Sequence, residues 1–209
     1  MRHGTDQFID LAADRLTLVD VQAMVAELDG SQGLKVTKNP AVEAFDEPTF
    51  AKLTDTNFHN GTIKVKVLGQ LLPDAPEYAR GFIGVAFRIN ESNTQFEAFY
   101  IRPTNARSED QMRRNRVVQY ISFPDYKFDR LRVESPGVYE AYADIGLDEW
   151  IDLTIEVLDD HAQLYVNHAS QPTLVVKDLK NGATNGGAIG LWVDVGTAGY
   201  FEDLQIIPR

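Results

Sequence analysis

The sequence predicts an all-β fold, a sandwich or barrel of short antiparallel strands. Most of the 209-residue chain consists of short β-rich runs separated by turn residues, which is the pattern of sandwiches and barrels. Several runs alternate apolar and polar residues, as strands do when one face lies in the core. Helical periodicity is scarce, and the pattern contains no parallel β/α units. These observations favour antiparallel sheets over any helical architecture.

The N-terminal third predicts a hairpin followed by two strands. Residues 19–28 fit either a short amphipathic helix or a strand. Because the Asp29-Gly30 turn signal comes next and a second β-rich run follows it, we expect a β-hairpin. Residues 50–53 and 62–68 are the next strand candidates, and the second of these alternates apolar with polar side chains. That alternation predicts a strand with one solvated face.

Three apolar-rich runs, residues 81–89, 96–101 and 117–122, form the centre of the predicted fold. Polar side chains occur in and beside them at alternating positions, where a plain core strand would not need them. Small residues share that face of the first run and would leave room for a ligand. Arginine offers a planar fork of donors, and tyrosine offers an amphipathic ring. We expect a binding groove whose floor and rim carry Arg88, Tyr100, Arg102, Gln119 and Asn105. The alternative is a solvated sheet face on which arginines pair with glutamate or aspartate.

The C-terminal half continues the strand pattern. Its strand candidates are residues 139–143, 151–158, 162–166, 174–179, 188–193 and 199–206. Longer loops are expected at 71–80, 103–116 and 123–138, where specificity usually resides. In the second loop, Arg113, Arg114 and Arg116 are interpreted as a solvated hairpin tip. In the third, Tyr126 and Phe128 either form a stacking wall or, as we favour, seal one end of the fold.

Composition limits the classes of partner. A net charge of −11 opposes binding to nucleic acids and to anionic membranes, because the long-range field repels both. The hydrophobic content of 44% is ordinary for a globular protein. The sequence contains no cysteine, so disulfides, thiolate metal sites and cysteine nucleophiles are excluded. The oligomeric state is left open.

No segment that would divide or target the chain is recognisable. Residues 1–10 lack the apolar stretch of a secretory signal, and no linker or internal repeat separates two halves. We therefore expect a single domain over residues 1–209. As written, the protein would be cytoplasmic, or secreted or periplasmic if a signal had been removed.

Several short sequence segments resemble a known protein family in their order and spacing. In the C-terminal half these are residues 148–150, 164–167, 190–192 and 199–204, and in the N-terminal half residues 58–67, 80–88 and 100–105. They resemble laminin-G-like domains of the concanavalin A-like lectin and glucanase superfamily, in particular a bacterial branch described as glycan-binding or glucanase-like. The resemblance implies a jelly-roll sandwich of two curved antiparallel sheets whose concave face holds carbohydrate. It covers roughly residues 15 to 207.

Three functions are compatible with these features. The leading hypothesis is a non-enzymatic carbohydrate-binding module that uses the concave face. The second is a glycoside hydrolase with an atypical carboxylate pair drawn from Glu97, Glu140 and Asp144, since the Glu-x-Asp-x-Glu cluster of laminarinase-type relatives is absent. Glu140 and Asp144 would lie about 13 Å apart along a strand, too far for the usual hydrolytic pairs. The third is a protein-interaction module that makes its contacts through loops.

Metal binding has little support in the residue pattern. The histidines lie far apart and lack zinc-binding spacing, and we expect no cofactor. The family resemblance implies a structural calcium ion as an alternative, with Asp203 as the best-matched ligand, joined by Asp29 or Glu27. Calcium takes six to eight oxygen ligands, which isolated acidic residues do not establish.

Overall fold

A computed structural model describes residues 7–28, 30–183 and 186–209. The described chain is almost entirely β-strand. In chain order the strands are β1 (Gln7–Phe8), β2 (Leu16–Val19), β3 (Val21–Leu28), β4 (Ser31–Lys38), β5 (Phe50–Leu53), β6 (Gly61–Leu71), β7 (Ile83–Ile89), β8 (Phe96–Ile101), β9 (Val118–Phe123), β10 (Glu140–Ala141), β11 (Ile151–Leu158), β12 (His161–Val166), β13 (Leu174–Val176), β14 (Ala188–Val193) and β15 (Thr197–Pro208).

The helices are short. They are a 3-10 turn (Ala13–Arg15), α1 (Pro103–Ala106), α2 (Gln111–Arg114) and α3 (Phe128–Glu134). No helix within the described ranges has the length and apolar character needed to cross a bilayer. The three α-helices instead lie in the two long connections that flank β9.

The strands form two antiparallel sheets. The eight-stranded sheet has the order β13-β12-β11-β6-β15-β4-β3, and β1 pairs with β15 beside this path. The seven-stranded sheet has the order β10-β9-β8-β7-β14-β5-β2. Strands distant in sequence, such as β6 and β15, are neighbours, so the chain crosses repeatedly between the sheets. This arrangement confirms the predicted all-β jelly-roll sandwich.

The alternation of apolar and polar residues explains why the eight-stranded sheet has one buried and one solvated face. In β11 and in residues 61–67 of β6, buried residues alternate strictly with exposed or partly exposed ones, and Ile63, Val65 and Ile155 lie on the buried face. Each fully buried aliphatic side chain contributes about 1.5–3 kcal/mol through removal from water. Lys64 and Lys66 point to the opposite, solvated face, as the sequence pattern predicts.

The central strands of the seven-stranded sheet are buried on both faces. Every residue of β7 and β8 is inaccessible to solvent. Ile83 packs over Gly69 and Gly199 of the other sheet, so its face lies between the sheets. Gly84 and its cross-strand partners Tyr100 and Trp192 therefore form the outer face. Loop residues and the short helices cover this outer face.

The predicted strands agree closely with the observed ones. The expected hairpin is β3 paired with β4, and the candidates at 151–158 and 188–193 coincide with β11 and β14. The loops expected at 103–116 and 123–138 contain the helices α1, α2 and α3. In the first of these loops the Asp110 side chain accepts hydrogen bonds from the amides of Met112 and Arg113, and so begins α2.

Candidate functional site

A pair of stacked rings forms the floor of the outer face. Gly84 lies in register between Tyr100 and Trp192 on the adjacent strands. Because glycine has no side chain, the two rings meet with centroids 4.7 Å apart. A Cβ atom on Gly84 would lie 2.1 Å from the carbonyl oxygen of Phe99, so the position requires glycine. The small residue makes room for the protein's own aromatic rings.

The hydroxyl of Tyr100 belongs to a buried polar network. It accepts a hydrogen bond from Arg102 Nη2 at 2.9 Å and is also hydrogen-bonded to the Asp46 carboxylate. Burial raises the pKa of Asp46 to about 6, against the lowering effect of the Phe128 amide that donates to it and with a further rise from the nearby Asp194 charge. Burial also raises the pKa of Tyr100 well above its ordinary value, so this hydroxyl keeps its proton.

A pocket of about 240 Å³ opens beside this network. We call it the arginine pocket; its walls come from loops, from the end of β8 and from all three α-helices. Its cationic side chains are Arg80, Arg102, Arg113, Arg116 and Arg132. The remaining lining residues are Asn105 and the aromatic residues Phe45, Tyr78, Phe82, Tyr100 and Phe128. The volume lies below the roughly 300–1,000 Å³ of sites for drug-sized ligands, so it suits one small group.

Glu140 holds three of the arginines together. Its carboxylate pairs with Arg132 and lies 3.8 Å from Arg102 Nη1 and 3.8 Å from Arg116 Nε. The Glu140 side chain is only 7% exposed. β10 places it opposite Gln119 on β9, at the wall of the pocket. One buried carboxylate therefore orients three guanidinium groups.

The other two arginines are held by neutral groups. Arg113 Nε donates to Asn105 Oδ1 at 3.1 Å, while its Nη2 donates to Thr104. Arg80 Nη1 donates to the carbonyl oxygens of Glu77 and Ala79. Burial and the positive charges of Arg113 and Arg102 lower the pKa of Arg80. The arginines thus repel one another across the pocket.

Three of the predicted binding residues meet in the arginine pocket. Tyr100, Arg102 and Asn105 all line it. Gln119 lies behind Arg102 and is fully buried; its Oε1 accepts from Arg102 at 3.1 Å and its Nε2 donates to backbone carbonyls. Gln119 therefore positions Arg102 instead of facing the pocket. The binding roles of these residues stay predictions.

The expected placement of Arg88 on the groove floor is wrong. Its φ of 52° interrupts the strand alternation, and the register of β7 against β14 shifts at the same end. The guanidinium group donates to the carbonyl oxygens of His59, Asp159 and Gly182. Arg88 thus ties loops together at the end of the sandwich.

The three candidate catalytic carboxylates do not share a site. Glu97 pairs in register with Phe87 on the inter-sheet face and is fully buried. Glu140 lies on the outer face among arginines, and the exposed Asp144 pairs with Arg107 at 3.0 Å. Opposite faces of one sheet cannot supply two carboxyl groups to the same glycosidic bond.

Asp203, the predicted calcium ligand, forms an ion pair with Lys66 at 2.9 Å. Across the described ranges, no group of three or more acidic or histidine side chains could hold a metal ion. Glu27 lies exposed on β3, and Asp29 falls outside the described residues. This arrangement does not fit a carboxylate cage, and calcium binding stays an untested prediction.

Most of the arginine pocket was not predicted from the sequence. Arg113 and Arg116, interpreted as part of a solvated tip, turn inward because α1 and α2 fold over the sheet end. Phe128, expected mainly to seal the fold, lines the pocket. A signal for the cationic lining was present, since nine of the twelve arginines in this acidic chain lie between residues 80 and 132.

Comparison with solved structures shows that proteins of low sequence identity share this jelly-roll sandwich fold. One similar structure is the carbohydrate-binding module CBM66 from Bacillus subtilis, with a TM-score of 0.54, 11% identity, and coverage of 90% of this chain and 94% of that one. Another is a Bacillus subtilis protein of unknown function with a galectin-like fold, with a TM-score of 0.54, 11% identity, and coverage of 94% and 91%.

A glycosidic hydrolase is also similar, with a TM-score of 0.50, 12% identity, and coverage of 96% of this chain and 93% of that one. No protein-family model matches the sequence. No curated protein matches it at a significant level of sequence similarity. At such low identities the structural likenesses establish the shared fold.

Proposed function

We propose that this protein is a carbohydrate-binding module and that the arginine pocket is its binding site. The observation that carries the proposal is the juxtaposition of aromatic rings and planar hydrogen-bond donors in one small concavity. Sugars present apolar ring faces and hydroxyl groups together, so they need both kinds of contact. The similar fold of CBM66, a carbohydrate-binding module, supports this assignment.

Tyr78 is suited to contact a sugar ring. It lies at the mouth of the arginine pocket with 55% of its surface exposed, and it meets the ring of Phe45 edge-on at 5.7 Å. An exposed ring with one face free of the core gains contact area when a ligand packs against it. Arg102 and Asn105 supply donors deeper in the pocket, where hydroxyl groups of the same sugar would reach.

The separation of carboxylates favours binding over hydrolysis. Glu140 is occupied by three arginines, and Glu97 faces the inter-sheet core. A hydrolase would need two carboxyl groups on either side of one bond. We therefore expect a bound oligosaccharide to leave the site intact.

The test combines a glycan panel with two matched variants. Purified protein is incubated with oligosaccharides, and bound ligand and cleaved product are followed by mass spectrometry. For a ligand that binds, Tyr78→Ala should weaken affinity about tenfold, or about 1.4 kcal/mol. The control is Tyr142→Ala, a comparably exposed tyrosine that does not line the pocket, which should leave affinity unchanged.

Three results would overturn the proposal. Equal affinities for the Tyr78 and Tyr142 variants would remove this pocket as the binding site. Cleaved product would establish a glycoside hydrolase. Absence of binding to every glycan would leave the protein-interaction hypothesis, with contacts made through the loops.

A further inference from the structure

The arginine pocket holds more positive charge than its own contacts neutralise. Five guanidinium groups line it, and the carboxylate in direct contact with them, Glu140, is shared by three. Arg80 and Arg113 donate to neutral oxygens of the backbone, Asn105 and Thr104. An arginine cluster that served only to stabilise the fold would be expected to carry matching carboxylates.

This concentration runs against the charge of the whole chain. The protein has a net charge of −11, yet it gathers five cations around one volume of about 240 Å³. Burial is the main cause that lowers the pKa of Arg80, and the positive charges of Arg113 and Arg102 lower it further, against the opposing effect of Glu77. A bound anion would relieve the repulsion between these positive charges. Such a site gains affinity from the charge that the ligand supplies.

The geometry also restricts what kind of anion fits. Guanidinium forks match the oxygen pairs of carboxylate and phosphate groups, and a sulfate group presents tetrahedral oxygens like those of phosphate. The aromatic residues of the same pocket require an apolar face attached to that group. The net negative charge outside the pocket opposes long polyanions such as nucleic acid, because their extended charge meets the repelling surface.

We propose that the ligand is an acidic saccharide whose carboxylate or sulfate group enters the arginine pocket while its ring packs against the aromatic wall. This inference rests on the proposed carbohydrate-binding function and specifies the sugar class. The carboxylate or sulfate group of the sugar lies closest to Arg80 and Arg113, whose hydrogen-bond acceptors in the protein are all neutral oxygens. Glu140 holds Arg102, Arg116 and Arg132 in place, and their positive charges add to the electrostatic attraction on the ligand.

The decisive experiment compares two forms of one sugar. Affinities are measured by isothermal titration calorimetry for trigalacturonic acid and for its fully methyl-esterified form, which has the same rings without the charges. The acid should bind at least tenfold more tightly. Its affinity should fall when the salt concentration is raised from about 50 to about 500 mM, since salt screens the attraction. A sulfated carrageenan oligosaccharide and inorganic sulfate distinguish carboxylate from sulfate recognition and a saccharide from a bare anion.

Arginine variants connect the preference with the pocket. Arg113→Gln and Arg80→Gln should each reduce the preference for the charged sugar by tenfold or more. Arg114→Gln is the control, because Arg114 is adjacent in sequence but lies over the ring of Tyr142 outside the pocket. Circular dichroism confirms folding of each variant; if one arginine variant fails to fold, the other carries the test.

The outcomes separate this inference from the proposed function. Equal binding of the acid and its ester, or of a neutral glucan, with loss in Tyr78→Ala, would overturn the acidic ligand and leave carbohydrate binding in place. Binding of inorganic sulfate without any saccharide, or no binding at all, would overturn both. A preference that persists in Arg80→Gln and Arg113→Gln would contradict the assignment to this pocket.

Discussion

The two faces of the seven-stranded sheet each bury a glutamate, and they hold it in opposite ways. On the inter-sheet face, Glu97 accepts hydrogen bonds from the Tyr120 hydroxyl at 2.6 Å and the Asn181 amide at 2.9 Å. On the outer face, Glu140 is surrounded by the guanidinium groups of Arg132, Arg102 and Arg116. Neutral donors satisfy the first carboxylate, and cations surround the second.

Under the proposed function, this difference separates a face that stabilises the fold from a face that binds a ligand. Burial is the main cause that raises the pKa of Glu97, while its neutral hydrogen-bond donors and Arg88 act in the other direction. Glu97 is thus hydrogen-bonded by neutral groups that belong to the fold. Around Glu140 the cations outnumber the carboxylate, so the outer face keeps the capacity to bind another negative group.

The largest expected effect breaks the inter-sheet network. Glu97→Leu leaves the Tyr120 hydroxyl and the Asn181 amide without their acceptor, at about 1–3 kcal/mol for each buried donor. We expect the free energy of unfolding, measured by urea denaturation, to fall by about 4 kcal/mol. Affinity for the pocket ligand should not change at temperatures where the variant is folded. A stability loss below about 1 kcal/mol would contradict this role.

The second prediction concerns Asp46 on the outer face and the dependence of protein stability on pH. The pKa of Asp46 is about 6 in the folded protein and near 3.8 in the unfolded chain. The folded state therefore holds the Asp46 proton more tightly, and its contribution to stability is lost as pH rises from about 4 to about 6. The loss is at most about 3 kcal/mol.

Other carboxylates titrate in the same pH range. Comparison of wild type with Asp46→Asn therefore separates the contribution of Asp46 to stability from theirs. The difference in unfolding free energy between wild type and Asp46→Asn should change across pH 4 to 6 and be constant above it. The exposed substitution Asp55→Asn is the control and should run parallel to wild type. Parallel curves for all three proteins would contradict the pKa assigned to Asp46.

The smallest effect concerns Glu140. Glu140→Gln removes the negative charge shared by three arginines, of which Arg116 and Arg132 are partly exposed. We expect a loss of about 1–2 kcal/mol in unfolding free energy at low salt. Added salt should reduce the loss, because it screens the remaining repulsion. The loss in Glu97→Leu should be insensitive to salt. The same salt response in both variants would remove the distinction between the two faces.

Strand alternation made most of the fold predictable from the sequence. In β11 the period of two is uninterrupted, and the predicted and observed ends coincide. Only two residues of the 139–143 candidate pair as β10, since local pattern does not report where a strand loses its neighbour. The same local character explains the error at Arg88, where a bulge changes the direction of a side chain without a mark in the residue pattern.

The site was less predictable because it is assembled from distant segments. Strand alternation predicts Tyr100 and Arg102, because both lie in or directly after β8. Phe45, Arg80 and Arg132 reach the pocket from three other connections, and their proximity depends on how those connections fold over the sheet. The crowding of arginines in one stretch of an acidic chain was visible, but only the packed loops show which arginines converge.

The ring stack above Gly84 gives this protein an optical reporter of its own. Trp192 lies 4.7 Å from Tyr100, and Tyr100 lines the arginine pocket, so the indole is one residue removed from the ligand. The other tryptophan, Trp150, packs in a separate cluster with Leu68 and Tyr200. Its replacement by phenylalanine would leave a single emitter, whose fluorescence intensity and lifetime would follow occupancy of the pocket without any attached dye.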